Sequence, residues 1–275
     1  MARLPVVPTE RQSMKPDRNK RSAHRSPSTQ RHAPARGREK GGSVRLYGLH
    51  AALAALTNPS RVIHAVHATP NAAQRIASTG AGERGVVHTV SPKDLDRMLG
   101  DTTVHQGILV EAAPLPEPGR ELLDNARLVL VLDQITDPHN VGAILRSAAA
   151  FSVDALIMTA RHSPPLQGVL AKAASGGLEH VPVMLPANLA TALRELGEQG
   201  YFRIGLDSDA DGPLEDLPMS DKLALVLGAE DRGLRRLTRE NCDAICALTT
   251  SGAIRSLNVS NAAAIALHTV AMKRR

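Results

Sequence analysis

Asn140 and Arg146, then Glu230, then Ser256, Asn258 and Ser260 each lie just beyond an apolar run, in the stretches LDQITDPHNVGAILRSA, LVLGAEDRGLRR and SLNVSNAAAIAL. In each stretch a leucine or β-branched run passes through a Gly, Asn, Asp or Pro turn into a helix, so three polar turns can converge at one edge of a parallel sheet. That is where open α/β sheets bind ligands. An amide, a carboxylate, hydroxyls and a guanidinium gathered there could orient a polar ligand and stabilise developing negative charge. Asn140 is placed as the N-cap of its helix, and Arg146, about one and a half turns on, could face either the site or solvent. Gly228 ends an apolar strand, where a missing side chain lets a ligand approach the backbone, and Gly233 lets the chain turn into the next helix. Helix capping accounts for one of Ser256, Asn258 and Ser260 but not for all three.

The elements that must hold these residues fall in two groups. After Arg127 come six strand candidates separated by helices: RLVLVLD, DALIM, VPVML, YFRIGLDS, KLALVLG and AICALT. Several are unbroken apolar runs, as expected of strands buried on both faces, so residues 127–275 are predicted to form a doubly wound parallel α/β domain. Residues 43–113 predict a small α/β domain: a helix in YGLHAALAALTN, a strand in RVIHAVHAT, a helix in NAAQRIAST, a strand in VVHTV, a helix in SPKDLDRML and a strand in HQGILVEAA. Ser91, Pro92 and Asp94 have the pattern of a capping box. Residues 114–126, with Pro114, Pro116, Pro118 and Gly119, predict an extended linker. Gly80, Gly82 and Gly85 spell G-x-G-x-x-G, but they follow a helix and precede a strand, the reverse of a dinucleotide-binding turn.

Composition narrows the function classes. At 275 residues and 43% hydrophobic the chain can build real cores, and no apolar run approaches the length that crosses a bilayer, nor does an apolar signal core follow the basic N-terminus. A cytoplasmic protein with no membrane partner is expected. Cys242 and Cys246 are too few for a disulfide framework and read as small buried apolar residues, and no metal is expected. Residues 1–42 carry eleven Lys and Arg against Glu10, Asp17 and Glu39, a net +8 that leaves the remainder at −2 within the whole-chain +6. This Arg-, Ser-, Pro- and Gly-rich tail has too little apolar surface to offset its conformational entropy, so it is predicted to be disordered, as a polyanion tether or a solubilising extension.

The order and content of the three motifs resemble the TrmH branch of the SPOUT RNA methyltransferases, residue for residue through DPHNVGAILRSA, and the likeness extends over residues 44 to 275. The resemblance implies a trefoil-knotted C-terminal domain, S-adenosylmethionine as cofactor, and homodimers in which one subunit borders the other's site. It places Asn140, Arg146, Glu230, Ser256 and Asn258 in the catalytic centre. The backbone around Leu248 and Leu257, together with Leu227, Gly228 and Ala229, would cradle the cofactor, and an apolar pocket with a few backbone donors suits an adenosine. Asp231 and Arg232 depart from the usual pattern and have no role implied. Proposals for this family make the first-motif Arg the base. Taking a proton from a guanidinium near neutral pH costs roughly 7 to 9 kcal/mol, so Arg146 is better read as a cation that stabilises the developing alkoxide or holds the adjacent phosphate.

A small domain opening with YGLHAALAAL and closing with HQGILVEA resembles the substrate-binding domain of bacterial 23S ribosomal RNA guanosine 2′-O-methyltransferases. Ribosomal RNA is therefore the expected partner. A transfer RNA 2′-O-methyltransferase, a related ribosomal enzyme modifying an adenosine, a ribosome-assembly factor that binds RNA without methylating it, and a nicotinamide oxidoreductase are the alternatives. With no Trp, two Tyr and two Phe, recognition should lean on phosphate, backbone and shape contacts rather than on stacking. Deleting residues 1–42 is expected to preserve cofactor binding but to weaken RNA binding and flatten its salt dependence. An unchanged salt slope in a filter-binding titration would make the tail a spacer.

Overall fold

The computed structural model describes residues 42–80 and 86–274. The tail read over residues 1–42 lies outside them apart from Gly42, as do Gly82 and Gly85 of the glycine signature. Among the described residues the chain forms a small α/β domain followed by a larger one. The small domain comprises β1 (Val44–Tyr47), α1 (Leu49–Thr57), β2 (Ile63–Ala68), α2 (Pro70–Ala77), β3 (Val87–Thr89), α3 (Pro92–Leu99) and β4 (Ile108–Ala112). Its sheet has the order β1-β4-β2-β3, with β4 antiparallel to β1 and β2 and with β3 parallel to β2. The predicted capping box forms: Ser91 Oγ accepts from the Asp94 amide at 3.3 Å and Asp94 Oδ2 accepts from the Ser91 amide at 3.1 Å.

Two elements differ from what the sequence alone predicts. The sequence reading opens this domain with a helix from Tyr47, yet Val44–Tyr47 is a strand. Pairing with β4 buries Leu46 and Tyr47, a tertiary gain that four residues cannot announce by their own periodicity. The linker is not extended throughout either, because α4 (Leu122–Asn125) interrupts it. Leu123 and Ala126 are buried, and the Tyr201 hydroxyl lies 2.9 and 2.7 Å from their carbonyl oxygens, which pins this segment to the second domain.

The second domain runs β5 (Leu128–Asp133), α5 (Pro138–Ala150), β6 (Ala155–Met158), α6 (Gly168–Ala174), α7 (Gly177–His180), β7 (Val183–Met184), α8 (Leu189–Glu198), β8 (Phe202–Leu206), β9 (Leu223–Gly228), α9 (Arg236–Glu240), β10 (Ala244–Cys246) and α10 (Val259–Lys273). All six strands are parallel, in the order β10-β8-β9-β5-β6-β7. The six predicted strands are all present, VPVML and AICALT being shorter than their apolar runs. Leu128, Leu130 and Leu132 enter one core with α5, α6 and α10, while Val129 and Val131 enter the other with α8. Burial on both faces is thus what the unbroken apolar runs encode.

The first motif's helix, α5, sits unusually close to its neighbours. A Cβ at Gly142 would lie 2.5 Å from the Ala173 Cβ and 2.6 Å from the Leu170 carbonyl oxygen, and one at Gly177 would lie 2.6 Å from the Leu145 carbonyl oxygen. Gly142→Ala is therefore expected to destabilise by about 1–3 kcal/mol through overpacking, although the same change in an exposed helix gains about 1 kcal/mol. A lower urea midpoint at unchanged slope would register this, and a raised midpoint would refute the close packing.

Candidate active site

Parallel pairing brings the strand ends level. Asp133 at the end of β5 lies opposite Gly228 at the end of β9, and Leu227 lies opposite both Leu132 and Leu206. The turn after β9 is tied across this edge by the Asp133 carboxylate, whose side chain is fully buried. It accepts from the Arg235 amide at 3.0 Å and from Arg235 Nε at 2.6 Å. Gly233 N donates to the Ala229 carbonyl at 2.8 Å, closing the turn on itself. A Cβ at Gly228 would stand 2.2 Å from the Gly233 carbonyl carbon and 2.5 Å from the Leu234 nitrogen. Glycine is thus required at 228 by the protein's own backbone, in addition to any approach by a ligand.

The N-cap of α5 is Asp137, not Asn140. The Asp137 Oδ1 accepts from the His139 amide at 3.0 Å, and Pro138, which lacks an N–H and has a helical φ, starts the helix. Asn140, released from capping, sits in the first turn and sends its side chain across to the second motif. Its Nδ2 donates to Glu230 Oε1 at 3.0 Å. The same oxygen accepts from Asn258 Nδ2 at 2.6 Å and from the Val259 amide at 3.0 Å. Asn258 Nδ2 also lies 3.0 Å from Asn140 Oδ1, while Asn258 Oδ1 caps α10 by accepting from the Ser260 amide at 3.0 Å and from Ser260 Oγ at 2.6 Å. One residue from each motif thus meets at Glu230, and Asn258 serves both helix and site.

Beside this cluster opens a cleft of about 340 Å³. Leu227, Gly228, Ala229, Leu248 and Leu257, the five expected cofactor residues, all line it, together with Glu230 and Ser256. Asn140 and Asn258 border it through Glu230 without lining it. Arg146 stands apart: it is exposed, six residues beyond Asn140 and so about 9 Å along the helix. Among the described residues its guanidinium has no hydrogen-bond or ion-pair partner. Sequence reasoning missed Leu206, Asp207, Ser208 and Asp209, which also line the cleft. Their signal was present, since LDSDAD follows an apolar strand as the three motifs do. Arg255 also lines the cleft, and Asp207 is held by Arg239. The leucines offer a planar base an apolar slot, and the carboxylates and hydroxyls offer partners for sugar hydroxyls and a cationic centre, so the donor set fits an adenosine carrying a positive charge.

Cys242, Cys246 and Asp243 serve packing or ties. Burial pushes the Cys242 and Cys246 thiols up to about 12, so both stay neutral at neutral pH. Hydrogen bonding to Arg203 holds Asp243 below the usual carboxylate range. Among the described residues no group of His, Cys, Asp or Glu is arranged to hold a metal. Gly228→Ala is expected to displace the Ala229–Gly233 turn, lowering the melting temperature and weakening S-adenosylmethionine binding together. A folded variant with native stability and affinity by calorimetry would remove the turn from the site.

Comparisons with known proteins agree with this geometry. The family model described as SpoU rRNA methylase matches residues 127–268, and the one described as RNA 2′-O ribose methyltransferase substrate binding matches residues 45–118. The 23S rRNA (guanosine-2′-O-)-methyltransferase RlmB of Ralstonia nicotianae is 38% identical over 242 residues, covering 83% of this chain and 95% of its own. RlmB of Nitrosomonas europaea is 44% identical over 178 residues, covering 63% and 68%. Among solved structures, the SpoU methyltransferase AviRb from Streptomyces viridochromogenes, in complex with AdoMet, shares the fold with a TM-score of 0.72 at 19% identity, covering 85% of this chain and 91% of that one. With half of its length matched by the methylase model and most of the rest by the substrate-binding model, the chain belongs to the SpoU rRNA methylase family.

Proposed function

We propose that this protein transfers a methyl group from S-adenosylmethionine to the ribose 2′-hydroxyl of a guanosine in 23S ribosomal RNA. The observation that carries the reading is the meeting of Asn140, Glu230 and Asn258 at the lip of a cleft lined by Leu227, Leu248 and Leu257. The RNA and the nucleotide come from the named relatives, and the match to the Ralstonia protein, over 83% of this chain, reaches beyond the catalytic domain.

The cofactor, when bound, supplies an activated methyl group, so the protein's task is alignment and management of one proton. Leu248 and Leu257 would hold the adenine in the apolar part of the cleft, with Gly228 and Ala229 presenting backbone groups. Glu230 takes three donors on one oxygen and so fixes Asn140 and Asn258 against each other, where they would border the incoming ribose. Ser256 adds a hydroxyl on the cleft wall. Arg146, having no partner of its own, is available to the alkoxide that develops at the 2′-oxygen or to the neighbouring phosphate. In this reading the second domain carries the trefoil knot that the sequence resemblance implies, and the protein works in the cytoplasm. Among the described residues no helix is long and apolar enough to cross a membrane.

Two copies acting together complete the proposal. On α10, Val259, Ala263, Ala266, Leu267 and Val270 pack inward, while Ile265 and Met272 stay 42% and 51% exposed on the other side. The helix is therefore not consumed by its own domain, and this outer stripe supports a homodimer interface.

Tritium transfer from labelled S-adenosylmethionine to undermodified 23S ribosomal RNA, with the ribose methylation mapped, tests the reading. Arg146→Ala is expected to lower turnover by about 10²-fold or more while leaving cofactor affinity within about threefold. Near-native turnover would remove Arg146 from the mechanism, and transfer only to transfer RNA, or to no RNA, would overturn the assigned substrate.

A further inference from the structure

The small domain meets the catalytic domain through an ion pair withdrawn from water. Arg61, between α1 and β2, and Glu179, on α7, have side chains only 2% and 3% exposed. The contact is a two-pronged fork: Arg61 Nη2 donates to Glu179 Oε1 at 2.5 Å and Arg61 Nε to Glu179 Oε2 at 3.1 Å. Arg61 Nη1 donates to the Ala113 carbonyl at 2.9 Å, at the point where the chain leaves the small domain, and Asn58 Nδ2 donates to Glu179 Oε2 at 2.8 Å. Four polar contacts thus converge where the end of α1, the exit of β4 and α7 come together.

Apolar side chains of similar volume would hold two surfaces together as well as a buried ion pair does, since desolvation consumes most of the Coulombic gain. What a fork adds is a fixed distance and direction. On the catalytic side that direction is passed on through close backbone contact. Gly177, two residues before Glu179, lies so near α5 that a Cβ there would stand 2.6 Å from the Leu145 carbonyl oxygen and 3.0 Å from the Arg146 nitrogen. The other end of α5 is held by the Asn140–Glu230 hydrogen bond. Arg146 has no such tether on its side chain among the described residues, so its place depends on its backbone.

We infer that Arg61 and Glu179 are positioning residues: their buried fork sets the small domain against α7 and, through the contact of Gly177 with α5, sets Arg146 relative to the RNA that the small domain holds. The inference rests on the reading of the protein as an RNA 2′-O-methyltransferase. It makes a domain contact whose residues do not line the cofactor cleft a determinant of turnover, and it assigns to two residues a role that neither substrate nor cofactor contact would give them.

The test uses the full chain carrying Arg61→Met together with Glu179→Met, which removes both charges at similar volume and leaves neither partner alone. Expected are a fall in kcat of about tenfold or more, with the KM for undermodified 23S ribosomal RNA and the S-adenosylmethionine affinity each within about threefold of native. Amide exchange over residues 142–148 and 177–180 should quicken by about tenfold. Arg61→Lys, which keeps the charge but not the fork, should fall between native and the double variant in both readouts. Native kcat, a loss confined to KM, or unchanged exchange in the double variant would each overturn the inference. Should the native protein methylate no RNA, the proposed function fails on that result, and the exchange measurement still decides whether the clamp controls α5. A double variant that does not fold would leave Arg61→Lys to decide by the same kcat and exchange criteria.

Discussion

The pairing of β5 with β9 places Asp133 opposite Gly228, and the site depends on that register. A parallel ladder carries all its strands in one direction, so polar turns that are far apart in sequence leave the sheet at the same edge. Asp133 then does more than end a strand. Its buried carboxylate receives the amide and guanidinium of Arg235, drawing the turn after β9 back over the sheet. Gly228 allows the return, because the Gly233 carbonyl occupies the space that a side chain would need. A shift of one residue in this pairing would move Glu230 out of reach of both asparagines.

Given that edge, the assembly of the site is a matter of donors and acceptors. Glu230 Oε1 takes hydrogen bonds from two side-chain amides and one backbone amide, drawn from the starts of α5 and α10. Each is a charge-assisted bond at a partly exposed position, where a single bond contributes modestly to stability, so the principal effect is geometric. Asn258 divides its two ends between tasks: the oxygen caps α10 and the nitrogen faces the other motifs. Any change at this residue therefore perturbs helix and site together.

The small domain is joined to this arrangement by packing that reaches α5 from behind. Leu46, Ala52 and Ala55 share a core with Leu170, Ala171 and Ala174 of α6, and Gly142 brings α6 against α5 with almost no intervening side chain. Such close contacts transmit displacement because packed interiors yield little before they rearrange. Under the proposed function, RNA held by one domain would thereby be set against residues carried by the other.

Much of this was legible in the residues themselves. The unbroken apolar runs of β5, β6 and β9 announced a sheet buried on both faces, the Ser91–Pro92–Asp94 pattern announced a capped helix, and the three strand-turn-helix stretches marked which turns carry polar function. These are local signals, set by periodicity and by which side chains satisfy the free amides of a helix start. Other features had no local sign. Val44–Tyr47 is a strand because β4 lies beside it, and the end of the linker is helical because Tyr201 and the core receive it. Asn140 looked like a cap, but Asp137 reaches the helix start first and frees the amide for Glu230. Gly228 looked like an opening for a ligand, but the chain's own turn lies against it. The sequence by itself determined the six strands of the parallel sheet, the capped helix after Ser91 and which turns are polar, because those depend on neighbours a few residues away. Only the tertiary structure decided which polar groups meet, which glycines face backbone, and where Arg61 finds its carboxylate, because those are distances between segments up to 121 residues apart in the chain.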